Sequence, residues 1–346
     1  MRLSFDNGAH WQPFQLNLPA TPVTDIRITR NDLVLSTQGR AFWILDNLTP
    51  LHAVNEKVAA AAVQLFKPRE AMRTRGARGA IGGPRAGAVS YPATGAQIDY
   101  YLASTPSDDV ALEILDAGGT VIRNFSSTVP ASGTPGAGAV AAEDAAPDDE
   151  DGGPRRGVRA PRLDKSAGMH RFTWDLRYPG AWQNERVPEG GGGPTAVPGT
   201  YSARLRSGAI TLAERFTVAE DPRILRDGIS LADLKEQFDH NLRVRDLVSD
   251  VNKTAARIRA EQSRMRGAGA PELDRLAKLN QLAGHVITPS VRYSKPELQT
   301  HITYLYSMTA TSDQKIGKDA IARYRVLRKE LDQRKKELEL ILGPAM

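Results

Sequence analysis

Hydrophobic and polar residues alternate with a period of two in two long parts of the chain, residues 1–66 and 96–220. In Met169–Leu176 every second side chain falls on one largely apolar face of an extended strand; these residues are His170, Phe172, Trp174 and Leu176. Short segments of this kind, separated by tight turns, predict antiparallel sheets. Their number and spacing in residues 96–220 predict an immunoglobulin-like β-sandwich. Val58–Phe66 fits either a further strand or a short helix.

The period changes to three or four residues in the last region, 221–346, which predicts helices. Ser230 can cap the first helix, with Asp233 three residues later as in a capping box. The apolar stripe of this helix is predicted to comprise Leu231, Leu234, Phe238, Leu242, Val248, Val251, Ala255, Ile258 and Met265. Further helices are expected to follow as far as Leu342. The pattern favours an antiparallel α-helical bundle.

Glycine, proline and charged residues interrupt the periodic regions in three places. Residues 67–95 are rich in glycine, arginine and proline and are expected to form a mobile linker. Residues 130–167 contain almost no large apolar side chain, so they are predicted to be a disordered insert in the second β region. Residues 186–198 hold four consecutive glycines between prolines and are expected to form a loose loop.

The charge of the chain does not indicate a nucleic-acid-binding protein. Its 346 residues include 46 Lys and Arg and 40 Asp and Glu, which gives a net charge of +6. Much of the basic excess lies on predicted helices beside acidic residues, as in residues 325–339, and aromatic residues do not alternate with it. We therefore expect a solvated helix surface and no nucleic-acid partner.

Several other classes of site are disfavoured by residue type and spacing. The chain has no cysteine, which excludes disulfides and thiolate chemistry. None of the six histidines forms an i,i+4 pair or an H-E-x-x-H motif, so we expect no metal site and no cofactor. The sequence contains no run of about 18 apolar residues, so it predicts no membrane span. The first residues lack the apolar core of a signal peptide.

The stretch Ser4–Trp11 has the S-x-D-x-G-x-x-W pattern of an Asp-box hairpin, formed by Ser4, Asp6, Gly8 and Trp11. An aspartate at this position can accept hydrogen bonds from backbone amides of the turn, and the glycine can adopt a backbone angle that other residues avoid. The tryptophan can pack beneath the turn. We therefore predict a structural role for these four residues.

A more specific resemblance begins at Leu33–Leu51. This segment is similar to the closing segment of large bacterial sortilin-like BNR-repeat β-propeller proteins, T-H-G-R-x-x-W-x-L-D-D-x-x-P-L, although Gln38 replaces the usual histidine and Asn47 the usual aspartate. Four further segments match the C-terminal part of that family, so the resemblance covers essentially the whole chain; they are residues 62–69, 168–179, 198–201 and 304–309.

The resemblance implies a multidomain protein of β plus α class. Residues 1–66 would be an incomplete β-propeller remnant of about one blade, residues 67–95 a linker, residues 96–220 the sandwich, and residues 221–346 the bundle. The first half of the opening blade is absent, so Met1 is expected to be an internal start or the start of a truncated gene model. Missing upstream blades would then be the intramolecular partner of this chain. Family members are extracellular, periplasmic or envelope-associated.

Members of the family are often labelled glycosyl hydrolases, a label that rests on analogy of fold. A glycosidase needs two carboxylates held across a sugar site, and one blade does not supply the residues of a propeller funnel. We therefore expect no catalytic residue in this chain. Arg40 and Trp182, the latter expected to be exposed in a loop, are the candidates for ligand contacts.

Two functions fit this sequence. In the first, we expect the chain to be a non-catalytic support or interaction region of a propeller protein, with protein or glycan partners bound through the sandwich or the bundle. Alternatively, it is the accessory end of a glycan-active glycosyl hydrolase whose catalytic blades lie outside it.

Overall fold

The computed structural model describes residues 1–74, 94–128, 162–265 and 270–343. Within these ranges the protein combines thirteen β-strands with seven helices, and the helices longer than five residues all follow residue 230. The predicted mixture of β structure and helices is confirmed. No helix among the described residues is long and apolar enough to cross a membrane.

The N-terminal region contains a small hairpin and a three-stranded antiparallel sheet, followed by two short helices. In the three-stranded sheet Ile26 lies opposite Leu35, and Leu35 lies opposite Trp43. Strand β3 forms one edge, since it pairs only with β4 among the described residues. The elements are β1 (Arg2–Leu3), β2 (Gln12–Pro13), β3 (Val23–Thr29), β4 (Asp32–Thr37), β5 (Phe42–Leu45), α1 (Thr49–Ala53) and α2 (Glu56–Ala60).

Two further sheets share a single hydrophobic core. One is a curled, five-stranded half-barrel in the order β10-β9-β12-β13-β7, and the other has the order β11-β8-β6. Trp174 is fully buried between them and contacts the rings of Tyr201 and Phe216. The strands are β6 (Val63–Leu65), β7 (Ala71–Met72), β8 (Ala96–Leu102), β9 (Val110–Leu115), β10 (Val121–Ser126), β11 (Gly168–Trp174), β12 (Gly199–Ser207) and β13 (Ile210–Ala219).

Some of the expected boundaries differ from the structure. Val58–Phe66 fits neither single alternative, because α2 ends at Ala60 and β6 begins at Val63. Residues 67–74, which we assigned to a linker, instead contain β7, whose Val218↔Ala71 pairing extends the five-stranded sheet. The hydrogen bonds available at the edge of the five-stranded sheet stabilise this extended segment, although the composition of residues 67–95 favours a flexible chain. The remainder of the predicted linker, residues 75–93, lies outside the described residues.

The predicted disordered insert also has an ordered end. Leu163 is buried in the sheet core, and Arg162 donates a hydrogen bond to the carbonyl of Ser127 at 2.8 Å. These contacts explain why the chain is already fixed before β11 begins. Residues 129–161, which make up most of the predicted insert, lie outside the described residues.

The C-terminal region contains helices around a second hydrophobic core. The long helix α4 begins at the predicted capping box, in which Ser230 and Asp233 each bind the backbone amide of the other. Its buried core residues include Val244, Leu247 and Ile258, packed with side chains of α5, α6 and α7. The helices are α3 (Pro222–Arg226), α4 (Leu231–Arg264), α5 (Ala270–Val286), α6 (Leu298–Ala310) and α7 (Lys318–Leu342).

The expected apolar stripe of α4 is only partly correct in its first half, where Leu234 is buried as predicted. Phe238 and Leu242 are only half-buried, whereas Gln237, His240 and Asn241 are buried. The polar residues are turned inward because the carbonyl groups at the end of α6 accept hydrogen bonds from two of them. In the second half of α4 the predicted Val251, Ala255 and Ile258 are buried as expected.

The loop between β11 and β12 is compact rather than loose. A Cβ atom on Gly193 would lie 2.0 Å from the carbonyl oxygen of Tyr178, and one on Gly180 would lie 2.2 Å from that of Gly191. The two arms of the loop therefore approach more closely than any residue with a side chain allows. The glycines between the prolines serve backbone packing.

Candidate functional site

Asp99 and Arg171 form the centre of a partly buried polar network. They occupy directly opposite positions on β8 and β11. The Nε of Arg171 donates to Oδ1 of Asp99 at 2.7 Å, and Nη2 reaches Oδ2 at 3.4 Å. The side chain of Asp99 is 5% exposed. A buried carboxylate is costly unless it is paired and hydrogen-bonded, and both conditions are met here.

The same network reaches into the N-terminal region through Asn47, just after β5. The Nδ2 of Asn47 donates to Oδ2 of Asp99 at 3.0 Å, and its backbone amide donates to Oδ1 of Asp32 at 2.7 Å. Arg171 donates to the carbonyl oxygens of Asp46 at 2.9 Å and Asn47 at 3.3 Å. The positive φ of 60° at Asn47, a conformation that asparagine tolerates better than most residues, directs the backbone into these contacts.

Arg69 completes the arrangement from the segment before β7. Its Nη1 donates to Oδ1 of Asp32 at 2.5 Å. We call Asp32, Asn47, Arg69, Asp99 and Arg171 the ionic junction. Its two carboxylates and two guanidinium groups balance in charge and are hydrogen-bonded to one another or to backbone groups. Such an arrangement fixes the N-terminal sheet to the sheet core, and it leaves no carboxylate free for proton transfer.

Sequence analysis identified only part of the ionic junction. Asn47, Arg69 and Arg171 lie in segments that carry the family resemblance, but we did not assign them a site. Asp32 and Asp99 were missed. The signal that could have found Asp99 is charge: β8 and β11 each carry one acidic or basic residue of opposite sign, and antiparallel pairing sets the two opposite each other.

Ser4, Asp6, Gly8 and Trp11 form a hydrogen-bonded hairpin turn. Oδ1 of Asp6 accepts from the backbone amide of His10 at 2.9 Å, and Oγ of Ser4 accepts from the amide of Gly8 at 2.8 Å. Gly8 has a φ of 96°, and the indole of Trp11 donates to its carbonyl at 2.9 Å. The backbone bond from His10, followed by the side-chain bonds from His10 and Ser4, lowers the pKa of Asp6 to about 2.

The hairpin also brings a serine, an aspartate and a histidine together, but in an order unsuited to catalysis. Asp6 lies between the other two: Ser4 donates to its Oδ1 at 2.8 Å, and Nδ1 of His10 lies 2.6 Å from its Oδ2. An activated serine needs its hydroxyl hydrogen-bonded to the imidazole. Here the carboxylate takes that bond.

The two ligand-contact candidates lie in different environments. The side chain of Arg40 is exposed, between β4 and β5, and its carbonyl accepts a bond from Trp43 Nε1 at 2.9 Å. The expected exposure of Trp182 is wrong, since only 8% of the residue is accessible. Its backbone amide donates to Ser249 Oγ at 3.0 Å and its carbonyl accepts from Asn252 at 2.8 Å, so the loop is fastened to α4.

A second buried ion pair connects the sheet core with the helices. Arg73, after β7, contacts Asp313, after α6, at 2.7 Å, and both side chains are almost completely buried. Nε of Arg73 also donates to the carbonyl of Ala196 at 2.8 Å. Together with the Trp182 contacts, this pair joins the helices to the sheets at two places.

The N-terminal region exposes an unusual amount of apolar surface. Ile28 and Phe42 lie on opposite faces of the three-stranded sheet, and Phe42 is 75% exposed. The exposed large apolar residues of this region, which we call the apolar surface, are Met1, Phe5, Trp11, Leu16, Val23, Ile26, Ile28, Phe42 and Ile44. Exposed patches of this kind mark sites of association.

Among the described residues no group of three or more His, Asp or Glu side chains could hold a metal ion. No family model matches the chain, and neither a curated protein nor a solved structure is significantly similar to it. The site must therefore be interpreted from its own geometry and from the resemblance of its motifs.

Proposed function

We propose that this chain is a non-catalytic support and interaction region that holds further β-structure on its N-terminal sheet. The observation that carries the proposal is the apolar surface, which includes residues on both faces of the three-stranded sheet. It lies beside strand β3, which has no second strand partner in the part of the chain that the structure describes. The ionic junction supports it, because a docking sheet must be held firmly on its base, and five residues from separate segments serve that purpose.

The resemblance to sortilin-like BNR-repeat proteins supplies the finer assignments of this proposal. Residues 1–66 are a β-propeller remnant, the two sheets that share a core are an immunoglobulin-like sandwich, and the helices after residue 221 are an antiparallel bundle. The partner of the apolar surface is further propeller blades, and the complete assembly is secreted or envelope-associated. The convergence of three family-like segments on the ionic junction favours these assignments.

The alternative function is the accessory end of a glycan-active glycosyl hydrolase. The exposed side chain of Arg40, beside the apolar surface, favours this alternative, because a guanidinium at the edge of docked blades could face a glycan. Under this proposal Arg40 contacts ligand while the catalytic carboxylates belong to the blades. Hydrolysis of a glycan panel by this chain alone would overturn the non-catalytic proposal.

A photo-crosslinking experiment in the source cells tests the partner. A photoreactive amino acid replaces Ile28, on the apolar surface, and in a matched variant replaces Val326, an exposed residue of α7. We expect crosslinked peptides with Asp-box sequences from the Ile28 position and none from the Val326 position. Equal crosslinking at both positions, or crosslinks from Ile28 to proteins without β-repeats, would contradict the proposed partner.

A further inference from the structure

His240 lies inside the helical region with an unused hydrogen-bonding atom. It is on α4, it is 1% exposed, and its ring centroid lies 6.1 Å from that of Tyr324 on α7. Its Nε2 is buried and has no hydrogen-bond partner among the described residues. In a neutral imidazole one nitrogen carries no proton, and this nitrogen can remain without a hydrogen-bond partner at modest cost. An imidazolium carries a proton on both nitrogens, and each N–H then needs an acceptor.

The residues on either side of His240 hold the end of α6. Gln237 and Asn241 both donate to the carbonyl oxygen of Thr309, at 2.8 Å and 3.0 Å. Gln237 also donates to the carbonyl oxygen of Ser312 at 2.6 Å. This turn of α4 therefore fixes the segment that follows α6.

The segment between α6 and α7 carries Asp313, which forms the buried ion pair with Arg73. Arg73 in turn belongs to the sheet core, where its backbone amide donates to the carbonyl of Ala219 at 2.9 Å. A continuous series of contacts thus runs from the buried turn of α4 through the end of α6 to the five-stranded sheet. A displacement of α4 at His240 acts directly on the attachment of the helices to the sheets.

We propose that His240 is an acid-sensitive release for the contact between the helices and the sheet core. Protonation places a charge and an unpaired N–H in a buried position, which a protein relieves by opening the surrounding packing. The neighbours of the imidazole do not compensate: Arg243 on α4 is cationic, and Tyr324 on α7 presents its aromatic ring. Burial, and to a smaller extent Arg243, lowers the pKa of His240, so the release operates below neutral pH.

The absence of cysteine allows a direct distance measurement on the full chain. Spin labels are attached at Thr211→Cys on β13 and Arg259→Cys on α4, both at exposed positions. We expect one narrow interlabel distance distribution at pH 7.5 and a broad one at pH 5. In the labelled His240→Gln variant, which cannot gain the charge, the distribution stays narrow at both values. The labelled His301→Gln variant, which loses an exposed histidine of α6, behaves like its parent.

A narrow distribution for the parent at both pH values would overturn the proposal, as would broadening in His240→Gln equal to that of the parent. An NMR titration of the histidine side chains in the parent gives a second measurement that does not depend on how well a variant folds. The midpoint of His240 protonation and the midpoint of distance broadening are expected to coincide. A separation of more than about one pH unit between them would contradict the assignment of the release to this residue.

Discussion

Asp99 and Arg171 face each other across the β8–β11 ladder, and the guanidinium group of Arg171 binds the backbone of residues 46 and 47 as well. One cross-strand pair therefore does two things. It neutralises the buried carboxylate of Asp99, and it attaches the segment that follows β5. Arg171 thus contacts both the sheet core strand β8 and the segment that leaves the N-terminal sheet.

Replacement of Arg171 by alanine tests this dependence. The variant leaves the carboxylate of Asp99 buried, with only the amide of Asn47 as a side-chain partner. Removing one partner of a fully buried pair costs about 3 to 5 kcal/mol, because the remaining charge is uncompensated. The side chain of Arg171 is 34% exposed, so water can reach Asp99 when it is removed, and we expect a smaller cost of about 2 kcal/mol. We expect a fall of that size in the free energy of unfolding, measured by urea denaturation of the full chain.

Arg27→Ala is the matched control. Arg27 also pairs with an aspartate, Asp25 at 3.3 Å, but its side chain is 80% exposed. Exposed pairs contribute little, so this variant should change the free energy of unfolding by less than about 0.5 kcal/mol. Similar losses in both variants would mean that the ionic junction stabilises the folded chain no more than an exposed ion pair does.

The glycine loop between β11 and β12 gives a second prediction. Gly193→Ala places a methyl group within 2.0 Å of the Tyr178 carbonyl, so the two arms of the loop must separate. We expect a loss of about 2 kcal/mol in the free energy of unfolding. The emission of the buried Trp182 should also shift to longer wavelength, because the loop leaves α4.

Gly284→Ala controls for the same chemical change. Gly284 lies in α5 with open space around its Cβ position. Alanine is preferred over glycine in a helix interior by about 1 kcal/mol, so this variant should be more stable than the parent. Opposite signs for the two substitutions are the expected result. Equal and small effects would indicate that the loop adapts to a side chain, and that the sequence-based prediction of a loose loop is correct.

The same loop shows why sequence patterns predicted some parts of the fold and not others. Local signals were sufficient for the capping box at Ser230 and for the hairpin turn at Ser4–Trp11, where the backbone amide of His10 donates to Oδ1 of Asp6 at 2.9 Å. Both depend on residues three or four positions apart. The packing of Gly193 against Tyr178 depends on the approach of two arms of the loop that are well separated in sequence. A run of glycines has the same composition whether it is packed or mobile, so composition could not distinguish the two.

The inward turn of Gln237 and Asn241 has a similar explanation. The hydrophobic period of α4 was sufficient to predict a long helix, but its N-terminal half faces the carbonyl groups at the end of α6. Their positions are set by the path of α6, which no pattern within α4 records. For the candidate site, the alternation of β11 predicts which way Arg171 points, whereas its partner Asp99 follows only once β8 and β11 are known to pair.

The pKa of Asp6 allows a prediction about the hairpin at acidic pH. Hydrogen bonds to the ionised carboxylate lower its pKa from 3.8 to about 2. A carboxylate whose pKa is lower in the folded state stabilises that state above the unfolded value, and the contribution is lost as the pH falls through the folded value. The hairpin contribution should therefore be complete above pH 4 and disappear near pH 2.

The carboxyl carbon resonance of Asp6 in the full chain measures this directly. We expect its midpoint near pH 2 in the parent and closer to 3.8 in His10→Gly, where the side-chain bond is lost and the local backbone is freer. In Asp6→Asn the amide resonances of the hairpin should not respond to pH between 4 and 2. A midpoint of 3.8 in the parent would show that these bonds do not persist in solution.

The Arg73–Asp313 ion pair provides a test of how firmly the helices are joined to the sheets. A double-mutant cycle with Arg73→Met and Asp313→Leu separates the pair from the other contacts of each residue. Each single variant leaves one buried charge and should lose about 3 to 5 kcal/mol in the free energy of unfolding, whereas the double variant replaces both charges by apolar groups and should recover much of that loss.

The control is the corresponding cycle for Arg257 and Glu339, an exposed pair between α4 and α7, which should give a coupling energy below about 1 kcal/mol. If the buried pair showed no more coupling than the exposed one, its charges would be solvated in solution, and the helices would be held to the sheets chiefly by the loop that carries Trp182.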